Sequence, residues 1–483
     1  MDEEEKMMKQ REYNPFEKNR YERKKKRENN LGKDEIKKLV PGLAIPAMLA
    51  QFVSVLYSIV DRMYIGNIPE IGETALAGVG ICGPIVTMIT AFAAWIGIGG
   101  APLMSIKMGE KNEKGASRIL ANCFILLLVM SLLITIAAFL FKDKLLRTFG
   151  ATEGIFPYAD TYMSIYVIGT VFAVLAFGLN QFIICQGFAG VGMCSVIIGA
   201  VCNIVLDPVF IFALHMEVAG AAVATVLSQA ASCFFTLFIL MRGRVPIGIS
   251  LKKPLLDRKI CSRVLLLGLT PFLIILFDNV LIVLQNVMLK QYGGADSDLL
   301  LTCNTIVQSF MLMVTMPLSG ITGGTQSILG YNYGAGNSLR IKQAEKQIAK
   351  TALIFCIIMF ALAQFGSRFF VRIFTGDPHY IELTTRFIRI YTMGVIPLAI
   401  QYVLVDGLTG MGIARAALPL SFIRKIIYIA LAVCFSMYLG AANIFYAEPI
   451  SDLASAVISG ITFLIVLPKI LQAREKERKK AEN

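Results

Sequence analysis

Four polar residues stand out because each lies inside a long apolar stretch in the first half of the chain. Asp61 falls in the stretch that follows Leu39, and Asn203 and Asp207 fall in a later one. A spacing of four places the last two on one face of a helix, one turn apart. Helical rise places all of them, with Thr225, in the same outer part of a membrane. Two carboxylates, an amide and a hydroxyl at one depth could bind a proton or Na⁺ through their oxygen atoms.

An acidic side chain at membrane depth requires a reason, since its insertion costs at least about 2.5 to 3.5 kcal/mol. Two interpretations are open. In the first, the four residues form a cation or proton site. In the second, Asp61 only pairs with Arg62 near the interface, and Asp207 with Pro208 forms a polar helix end. Agreement in depth favours the first interpretation.

The elements that must position these residues are membrane-spanning helices. Of the 483 residues, 56% are hydrophobic and only 16% are charged, and the mean hydropathy is +0.67, far above that of soluble globular proteins. Runs of about 20 apolar residues follow one another, which is the length that a spanning helix needs. A membrane barrel would instead alternate in polarity, and these runs do not.

Twelve such runs predict twelve spanning helices. Their expected bounds are residues 39–66, 76–105, 119–141, 158–182, 191–214, 218–241, 264–290, 299–328, 348–366, 383–408, 416–439 and 450–472. The predicted fold class is therefore an all-α polytopic membrane protein. We expect its twelve transmembrane helices to form two six-helix lobes related by an internal repeat.

Short motifs recur in both halves in the same order. Pro46 in the first predicted helix lies 225 positions before Pro271 in the seventh. The same offset aligns Asn112 with Asn337. These matches predict a duplicated six-helix unit, and such repeats are a common way to build a transporter with its substrate cavity between the halves.

Farther along, residues 186–192 align with residues 406–412 at an offset of 220. The repeat and the helix count together predict the division of the chain. We expect a basic cytoplasmic tail at 1–38, an N-lobe with helices one to six at 39–241, a cytoplasmic linker at 242–263, a C-lobe with helices seven to twelve at 264–472, and a cytoplasmic tail at 473–483.

Basic residues indicate the orientation. The loops after the second, sixth and eighth helices and both tails are rich in Lys and Arg, and an arrangement of twelve helices places all of them on one side. Because cytoplasmic loops carry an excess of these residues, we expect both termini in the cytoplasm of a cell with this protein in its inner or plasma membrane. The net charge of +13 does not indicate a nucleic-acid partner, because the basic residues flank helix ends. The N-terminal tail serves orientation or contacts anionic membrane lipid.

The second half lacks acids at the equivalent positions. The two offsets place Asn286 opposite Asp61 and Ile427 opposite Asp207. Its own acid at membrane depth is Asp278, for which a functional and a structural role are both open.

Candidates for the substrate cavity are polar or adaptable side chains of the second half, namely Asp278, Asn286, Gln308, Met311 and Arg424. Methionine adapts to varied apolar ligands, although methionine on an apolar helix more often packs in a core. Because an unpaired cation is costly at this depth, Arg424 or its neighbour Lys425 should face the cavity or pair with an acid.

Three other acids of the second half are expected to be structural. Asp406 lies beside Gly407 near a cytoplasmic helix end, and Glu448 and Asp452 lie at the outer start of the last predicted helix. We therefore place the last two at the membrane interface.

Enzymatic and metal-dependent functions have little support. The ten cysteines lie in or beside apolar runs without a CxxC pair, and the chain has only two histidines. Motifs such as HExxH or GxSxG do not occur. We expect no enzyme activity and no cofactor.

Several segments resemble the multidrug and toxic compound extrusion (MATE) family, namely residues 46–66, 75–78, 203–208 and 326–336. The resemblance covers nearly everything after the N-terminal tail, and the chain is most similar to the DinF/MepA-like branch. It implies twelve helices in two lobes around a V-shaped central cavity, and export driven by inward flow of H⁺ or Na⁺.

In related prokaryotic members the coupling site uses an Asp on helix one, an Asn and an Asp four apart on helix five, and a Thr on helix six. The matching residues, which the resemblance implies as ligands of a proton or of Na⁺, are Asp61, Asn203, Asp207 and Thr225. It also implies that Pro46 bends helix one. Members of the NorM-like branch carry a second Na⁺ site with acids on helices seven and ten, a pattern from which Asp278 departs by one position.

We therefore expect a secondary antiporter that exports amphipathic, cationic drugs or toxic organic compounds in exchange for H⁺ or Na⁺ by alternating access of its lobes. It should act as a monomer on small organic molecules. Two alternatives are open. A lipid-linked oligosaccharide flippase of the same superfamily would need a strongly cationic cavity, and a non-transporting membrane scaffold or sensor would not require duplicated halves.

Overall fold

The computed structural model describes residues 29–250 and 256–482. In this part of the chain, twelve helices are long and apolar enough to cross a membrane, which confirms the predicted number. They are α1 (Ile36–Gly66), α2 (Gly72–Gly109), α3 (Glu113–Thr148), α4 (Phe156–Ile184), α5 (Ala189–Ala213), α6 (Glu217–Met241), α7 (Arg258–Tyr292), α8 (Gly294–Gly334), α9 (Ser338–Arg372), α10 (Pro378–Gly410), α11 (Ala414–Tyr438) and α12 (Ala441–Arg478). Residues 1–28 of the predicted tail and 251–255 of the predicted linker lie outside the described residues.

The helices extend beyond the apolar runs that predicted them. α7 begins at Arg258 rather than at residue 264, and helical structure continues past residue 472 to Glu482. Hydropathy marks only the membrane-crossing part, whereas backbone hydrogen bonding continues into the polar flanks. The end of the bundle where α1 begins and α12 ends is called the basic end below.

Equivalent turns in the two halves confirm the repeat. The side chain of Asn112 accepts a hydrogen bond from the backbone N–H of Gly115 at 2.8 Å and begins α3, and Asn337 accepts one from Arg340 at 3.1 Å and begins α9. Asparagine is favoured at this position because it satisfies an N–H group that the helix leaves free. The aligned asparagines therefore perform the same structural task.

The offset of 220 is wrong, and 225 applies here as well. α5 begins at Ala189 and α11 at Ala414, and each start follows a left-handed glycine, Gly187 with φ of 92° and Gly412 with φ of 77°. Both pairs are 225 positions apart. The glycine motif misled the alignment because each half carries several glycines near this turn.

With the corrected offset, the position equivalent to Asp207 is Ala432 rather than Ile427. Asn286 remains opposite Asp61. Neither offset gives the second half a matching pair of acids, so the chemistry of the two halves differs although their turns agree.

The buried apolar residues form two clusters. One contains side chains of α2 to α6, with Tyr166 and Phe182 among its largest fully buried members. The other contains side chains of α8 to α12, where the rings of Phe387 and Phe445 stack with centroids 4.0 Å apart. The first part of α1 belongs to this second cluster through residues such as Leu43. α1 therefore connects the two halves.

Glycines bring the halves into main-chain contact at the basic end. A Cβ atom on Gly109 of α2 would lie 1.9 Å from the carbonyl oxygen of Tyr331 on α8, and one on Gly334 would lie 2.0 Å from that of Ile106. Both distances are far below van der Waals contact. We call this contact between α2 and α8 the glycine seam.

Hydrogen bonds extend the contact between the halves from the seam to α7. Ser105 Oγ donates to the carbonyl oxygen of Ser327 at 2.9 Å, and Trp95 Nε1 donates to that of Leu265 at 2.8 Å. The ring of Trp95 also stacks on Phe272 at 4.5 Å. The halves are thus joined from the basic end to about the middle of α2 and α7.

Toward the opposite end, α1 and α7 each have contacts within their own half. Tyr64 of α1 packs edge-on against Phe212 at 6.3 Å, and Gln285 of α7 accepts a hydrogen bond from Gln308 at 2.8 Å. The contacts between the halves named above therefore lie at the basic end and near the middle of α2 and α7.

Candidate cation site and charged network

The α5 residues Asn203 and Asp207 form the centre of the first-half site. Their side chains lie on one face, and Asn203 Nδ2 donates a hydrogen bond to Asp207 Oδ1 at 3.1 Å. Only 1% and 0% of their surfaces are exposed. The spacing of four in the sequence therefore produces the contact that it predicts.

α1 brings a second carboxyl group to this centre, because the Asp61 side chain lies beside that of Asp207. Two carboxyl groups this close can share one proton. Arg62 is exposed and forms no close ion pair with Asp61, although its charge acts on that carboxyl group, so Asp61 interacts with both Asp207 and Arg62. Two acids that share a site cannot both ionise without strong repulsion, so the pair has the chemistry to take up a positive charge or a proton.

Three oxygen atoms of this group have no hydrogen-bond partner among the described residues. They are Asp61 Oδ1, Asn203 Oδ1 and Asp207 Oδ2, and all three are buried. Buried polar atoms are normally paired, and an unpaired one costs about 1–3 kcal/mol. Carboxylate and amide oxygens suit a proton or a hard cation such as Na⁺. No group of three or more His, Cys, Asp or Glu side chains in the described part of the chain could hold a metal ion.

Thr225 lies near an aromatic side chain of α4. Its hydroxyl donates to the carbonyl oxygen of Ala221 at 2.9 Å, and the Tyr162 side chain lies close to it. Tyr162 in turn stacks on Tyr166 with ring centroids 6.1 Å apart, and Gln229 Nε2 donates to the Tyr166 hydroxyl at 3.3 Å. Thr225 therefore borders a group of polar side chains from α4 and α6.

Sequence reasoning missed the tyrosines of this group. Tyr162 and Tyr166 are four apart on α4, as Thr225 and Gln229 are on α6, so each pair shares a helical face. That coincidence of spacing is the signal that could have identified them.

A local break in α5 follows directly after Asp207. The α-helical part ends at Pro208, and a single π-helical turn continues over Val209–Ala213. Proline cannot donate a backbone hydrogen bond, and π turns are frequent at functional sites. The polar helix end considered from the sequence is thus present, together with the contact to Asp61 rather than in place of it.

In the second half, Arg424 of α11 binds two carboxylates of α12. Its Nε donates to Asp452 Oδ1 at 2.7 Å, and its Nη2 donates to Glu448 Oε1. All three side chains are buried, with Asp452 at 0% exposure. The 3₁₀ segment Ala441–Tyr446 precedes the α-helical part of α12, and Glu448 lies in the first turn of that part with Asp452 one turn later. Both acids are thus buried partners of Arg424, which the sequence did not predict.

The neighbouring cation, Lys425, binds Asp278 of α7. The prediction that at least one of these two cations faces the cavity or pairs with an acid is confirmed, and both of them pair with acids. The Lys425 side chain is 8% exposed, whereas that of Asp278 is 48% exposed. Next to it, the rings of Phe277 and Phe422 meet edge-on at 4.8 Å. A half-exposed carboxylate thus lies beside an aromatic pair.

The remaining predicted cavity residues differ in position. Gln308 Nε2 donates to Gln285 and, at 3.1 Å, to the hydroxyl of Tyr391, so it belongs to a hydrogen-bonded network. Asn286 is exposed and accepts a hydrogen bond from Asn304 at 3.0 Å.

Two further predicted residues lie inside helices without polar contacts to these groups. Met311 is 5% exposed and lies in the second apolar cluster, a position that favours packing over contact with a substrate. Pro46 is half-buried within α1, as Pro271 is within α7. Because an internal proline removes a hydrogen bond, both helices are weakened at the same turn.

Comparison with known proteins places these features in context. Residues 46–209 and 273–434 match the MatE family model. The chain is 23% identical to the multidrug export protein MepA of Staphylococcus haemolyticus over 86% of this chain and 90% of that protein. It is 22% identical to MepA of Staphylococcus aureus strain MRSA252, over 88% and 94% of the two chains.

Solved structures share the fold. One described as the outward-facing conformation of a multidrug resistance MATE family transporter of the MOP superfamily superposes with a TM-score of 0.84, at 24% identity over 92% of this chain and 98% of that chain. A MOP superfamily transporter from Pyrococcus furiosus, described as having a binding pocket of reverse polarity, gives 0.85 at 23% identity over 91% and 98%.

Proposed function

The chain belongs to the MatE family of membrane transporters, and on that premise we propose that it exports amphipathic organic cations in exchange for H⁺ or Na⁺. The shared site of Asp61 and Asp207 is the observation that carries this proposal. A membrane-embedded acid pair with unpaired oxygens can serve as the site that binds and releases an ion in each transport cycle. Members of this family are transporters and not enzymes, so the proposal includes no enzyme activity.

The site couples to transport only if the ion binds one conformation more tightly than the other. α1 supplies Asp61 and also packs into the second half through Leu43. A proton or Na⁺ at the acids removes the repulsion between α1 and α5, and this change is transmitted along α1 to the contact with α8. Pro46 lies between Leu43 and Asp61 in α1 and is the point at which the helix bends in this proposal.

Alternating access follows from the arrangement of the halves. The glycine seam joins the halves at the basic end. In this proposal a cleft between the halves opens toward the opposite end, so that the transporter is open to one side. Rocking the halves about the substrate site would open the seam and close the cleft. The predicted lobes, 39–241 and 264–472, are the bodies that move in this proposal, within a single copy of the chain.

Charge and aromatic surface favour an organic cation as the substrate. Asp278 offers a half-exposed carboxylate, and Phe277 and Phe422 offer the aromatic faces that bind cationic and amphipathic ligands. The cavity candidate Asn286 lies farther along α7 and is also exposed. Lys425 neutralises Asp278 until such a ligand competes for the carboxylate.

The charge distribution supports this proposal over a flippase for an anionic headgroup. Both intramembrane cations of α11 are already paired, Arg424 with two acids and Lys425 with a third. A pyrophosphate group would have to displace these carboxylates. A transporter of anionic lipids therefore fits this half less well than a transporter of cations.

The orientation rests on the basic residues. The loops and tails at the basic end carry most of the Lys and Arg residues outside the helices, so we place this end, with both termini, in the cytoplasm. The cleft then opens to the outside of an inner or plasma membrane.

Dye uptake into everted membrane vesicles tests the proposal. A panel of cationic dyes would be offered under an imposed pH gradient and, separately, under a Na⁺ gradient. We expect one gradient to drive uptake in the wild type, and Asp61→Asn and Asp207→Asn to abolish this driven uptake. Asp298→Asn, at an exposed position of α8, is the matched control and should retain it. Driven uptake that survives in either site variant, or dye movement insensitive to both gradients, contradicts the proposal.

A further inference from the structure

Glu345 on α9 is a buried acid that the proposed transport mechanism does not use. It is 7% exposed, and neither of its carboxylate oxygens has a hydrogen-bond partner among the described residues. Leaving an isolated carboxylate unpaired in such surroundings is strongly unfavourable, so buried acids pair or take up a proton. Glu345 therefore requires a positive partner or a proton.

The charged group that acts on Glu345 is a second acid, Asp406 of α10. The two helices meet closely here, because a Cβ atom on Gly407 would lie 2.0 Å from Glu345 Oε1. Asp406 Oδ2 accepts a hydrogen bond from Thr322 Oγ1 of α8 at 2.5 Å. Three helices thus contribute two interacting carboxyl groups and one hydroxyl to the same region of the second half.

We propose that Glu345 and Asp406 form a second proton-binding site, built between α8, α9 and α10 and separate from the site at Asp61 and Asp207. Two adjacent carboxyl groups cannot both carry a negative charge at low cost. The Thr322 hydroxyl already donates to Asp406, so Asp406 is the group stabilised as the anion. Glu345, which receives no such bond, holds the proton.

The groups around the site favour a proton over a metal ion. On α9 the basic residues Lys342 and Lys346 are exposed, and on α8 the neighbouring side chain of Gln326 is neutral. On α10 the next titratable group is Tyr402, one turn before Asp406. Tyr402 also faces the buried ions Arg424, Glu448 and Asp452. The oxygens available to an ion are fewer than the six that hard divalent cations such as Ca²⁺ and Mg²⁺ take.

Proton exchange has a route through Asp406. The residue is half-buried, in contrast to Glu345, and it lies one turn from the end of α10 at the basic end. A proton can therefore pass between Glu345 and the solvent at that end by way of Asp406. The opposite face of α8 contacts α1, where a Cβ atom on Gly324 would lie 2.5 Å from the Ala47 Cβ atom. Protonation at this site thus acts on the helix that also forms the contact between the halves.

Infrared spectroscopy of the full chain in lipid bilayers measures this proton directly. The C=O stretching band of a protonated carboxylic acid would be recorded against pH, and its shift in D₂O identifies an exchangeable proton. We expect Glu345→Gln to lose one such band at neutral pH that Asp61→Asn and Asp207→Asn retain. Glu382→Gln, at an exposed position of α10, is the matched control and should lose only absorption that appears on strong acidification.

A second variant guards against a folding defect in Glu345→Gln. Thr322→Val removes the hydrogen bond to Asp406 but leaves both acids, so the band should persist and shift in frequency. An unchanged neutral-pH band in both Glu345→Gln and Thr322→Val overturns the proposal. Loss of the wild-type band on addition of Na⁺ also overturns it, because the site would then be a cation site. No transport is measured, so failure here is distinguishable from failure of the drug-export proposal.

Discussion

The Lys425 ammonium group is paired with the Asp278 carboxylate, and this contact joins α11 to α7 across the second half. The two partners differ in exposure, since the Lys425 side chain is buried and half of the Asp278 side chain is exposed. Removing the acid would leave a buried cation without its partner. Removing both charges would leave no such cation.

The first prediction concerns this ion pair. We expect Asp278→Asn to lower the free energy of unfolding by about 1–3 kcal/mol, less than the loss for a fully buried pair because Asp278 is half exposed. The double variant Asp278→Asn with Lys425→Met should recover most of this loss. Chemical or thermal unfolding of the four proteins in a double-mutant cycle measures the coupling. Equal stability of the single and double variants would contradict a stabilising pair.

The second prediction concerns Tyr162, which sequence reasoning missed. Tyr162→Phe removes the hydroxyl that lies near Thr225 but retains the ring that stacks on Tyr166. If the interaction of this hydroxyl with the site is worth about 1–1.5 kcal/mol, gradient-driven export should fall up to about tenfold. Dye binding without a gradient should not change. Tyr158→Phe on the same helix is the control, and an equal loss in both variants would assign the effect to α4 packing.

The third prediction concerns the glycine seam. Gly334→Ala places a methyl group 2.0 Å from the carbonyl oxygen of Ile106, so α2 and α8 must separate. We expect the basic end to open, at a cost of about 1–3 kcal/mol to the closed arrangement. Distances between spin labels on the two halves would report the change. Gly323→Ala on the same helix is the control, because its methyl group would meet no atom within 4 Å. Identical distance distributions in the two variants would contradict the role of the seam.

The fourth prediction concerns an ion pair outside the membrane-spanning part of α2. Glu110 binds Lys107 at 2.6 Å and also binds Arg474 of α12, which donates to the carbonyl oxygen of Tyr333 as well. Partial burial alone would raise the pKa of Glu110, but the hydrogen bonds from Lys107 and Arg474 outweigh it and lower this pKa.

The sign of the pH dependence follows from that lowered pKa. The pair contributes its full stability above the pKa that Glu110 has in the unfolded chain, and loses it as the pH falls through the lower folded-state pKa. At neutral pH we expect Glu110→Gln to cost about 0.2–1 kcal/mol, as for other partly exposed pairs. Unfolding measured against pH should show a difference from the wild type that disappears in acid. Glu477→Gln is the control. The Glu477 side chain is 70% exposed, and its contact with Arg474 is the long one, at 3.4 Å, so its loss should cost less. A larger effect at Glu477 would contradict the assignment.

Sequence alone was sufficient for the helices and for the first-half acids. Apolar runs long enough to span a membrane determine the number of helices. In hydrocarbon the backbone N–H and C=O groups can form hydrogen bonds only with each other, so each run must be helical. The spacing of four fixes the contact between Asn203 and Asp207 because helical geometry is local. The agreement in depth then correctly placed Asp61 beside Asp207.

Contacts between distant helices could not be predicted in the same way. Glu448 and Asp452 were expected near the start of the last helix, and the sequence did not reveal that both are buried partners of a cation. Their pairing with Arg424 depends on how α11 and α12 pack, and 24 and 28 residues separate the partners. The approach of Glu345 to α10 beside Asp406 depends likewise on the absence of a side chain at Gly407, which becomes meaningful only when α9 and α10 are brought together.

The glycine seam has a consequence for the speed of a conformational cycle. Because the surfaces that meet there are mainly backbone, separating them exposes few apolar side chains to water. Amide and carbonyl groups that come apart can be hydrated at once. The closed and open arrangements can therefore lie close in free energy, so that a small input such as one bound ion is enough to reverse their order.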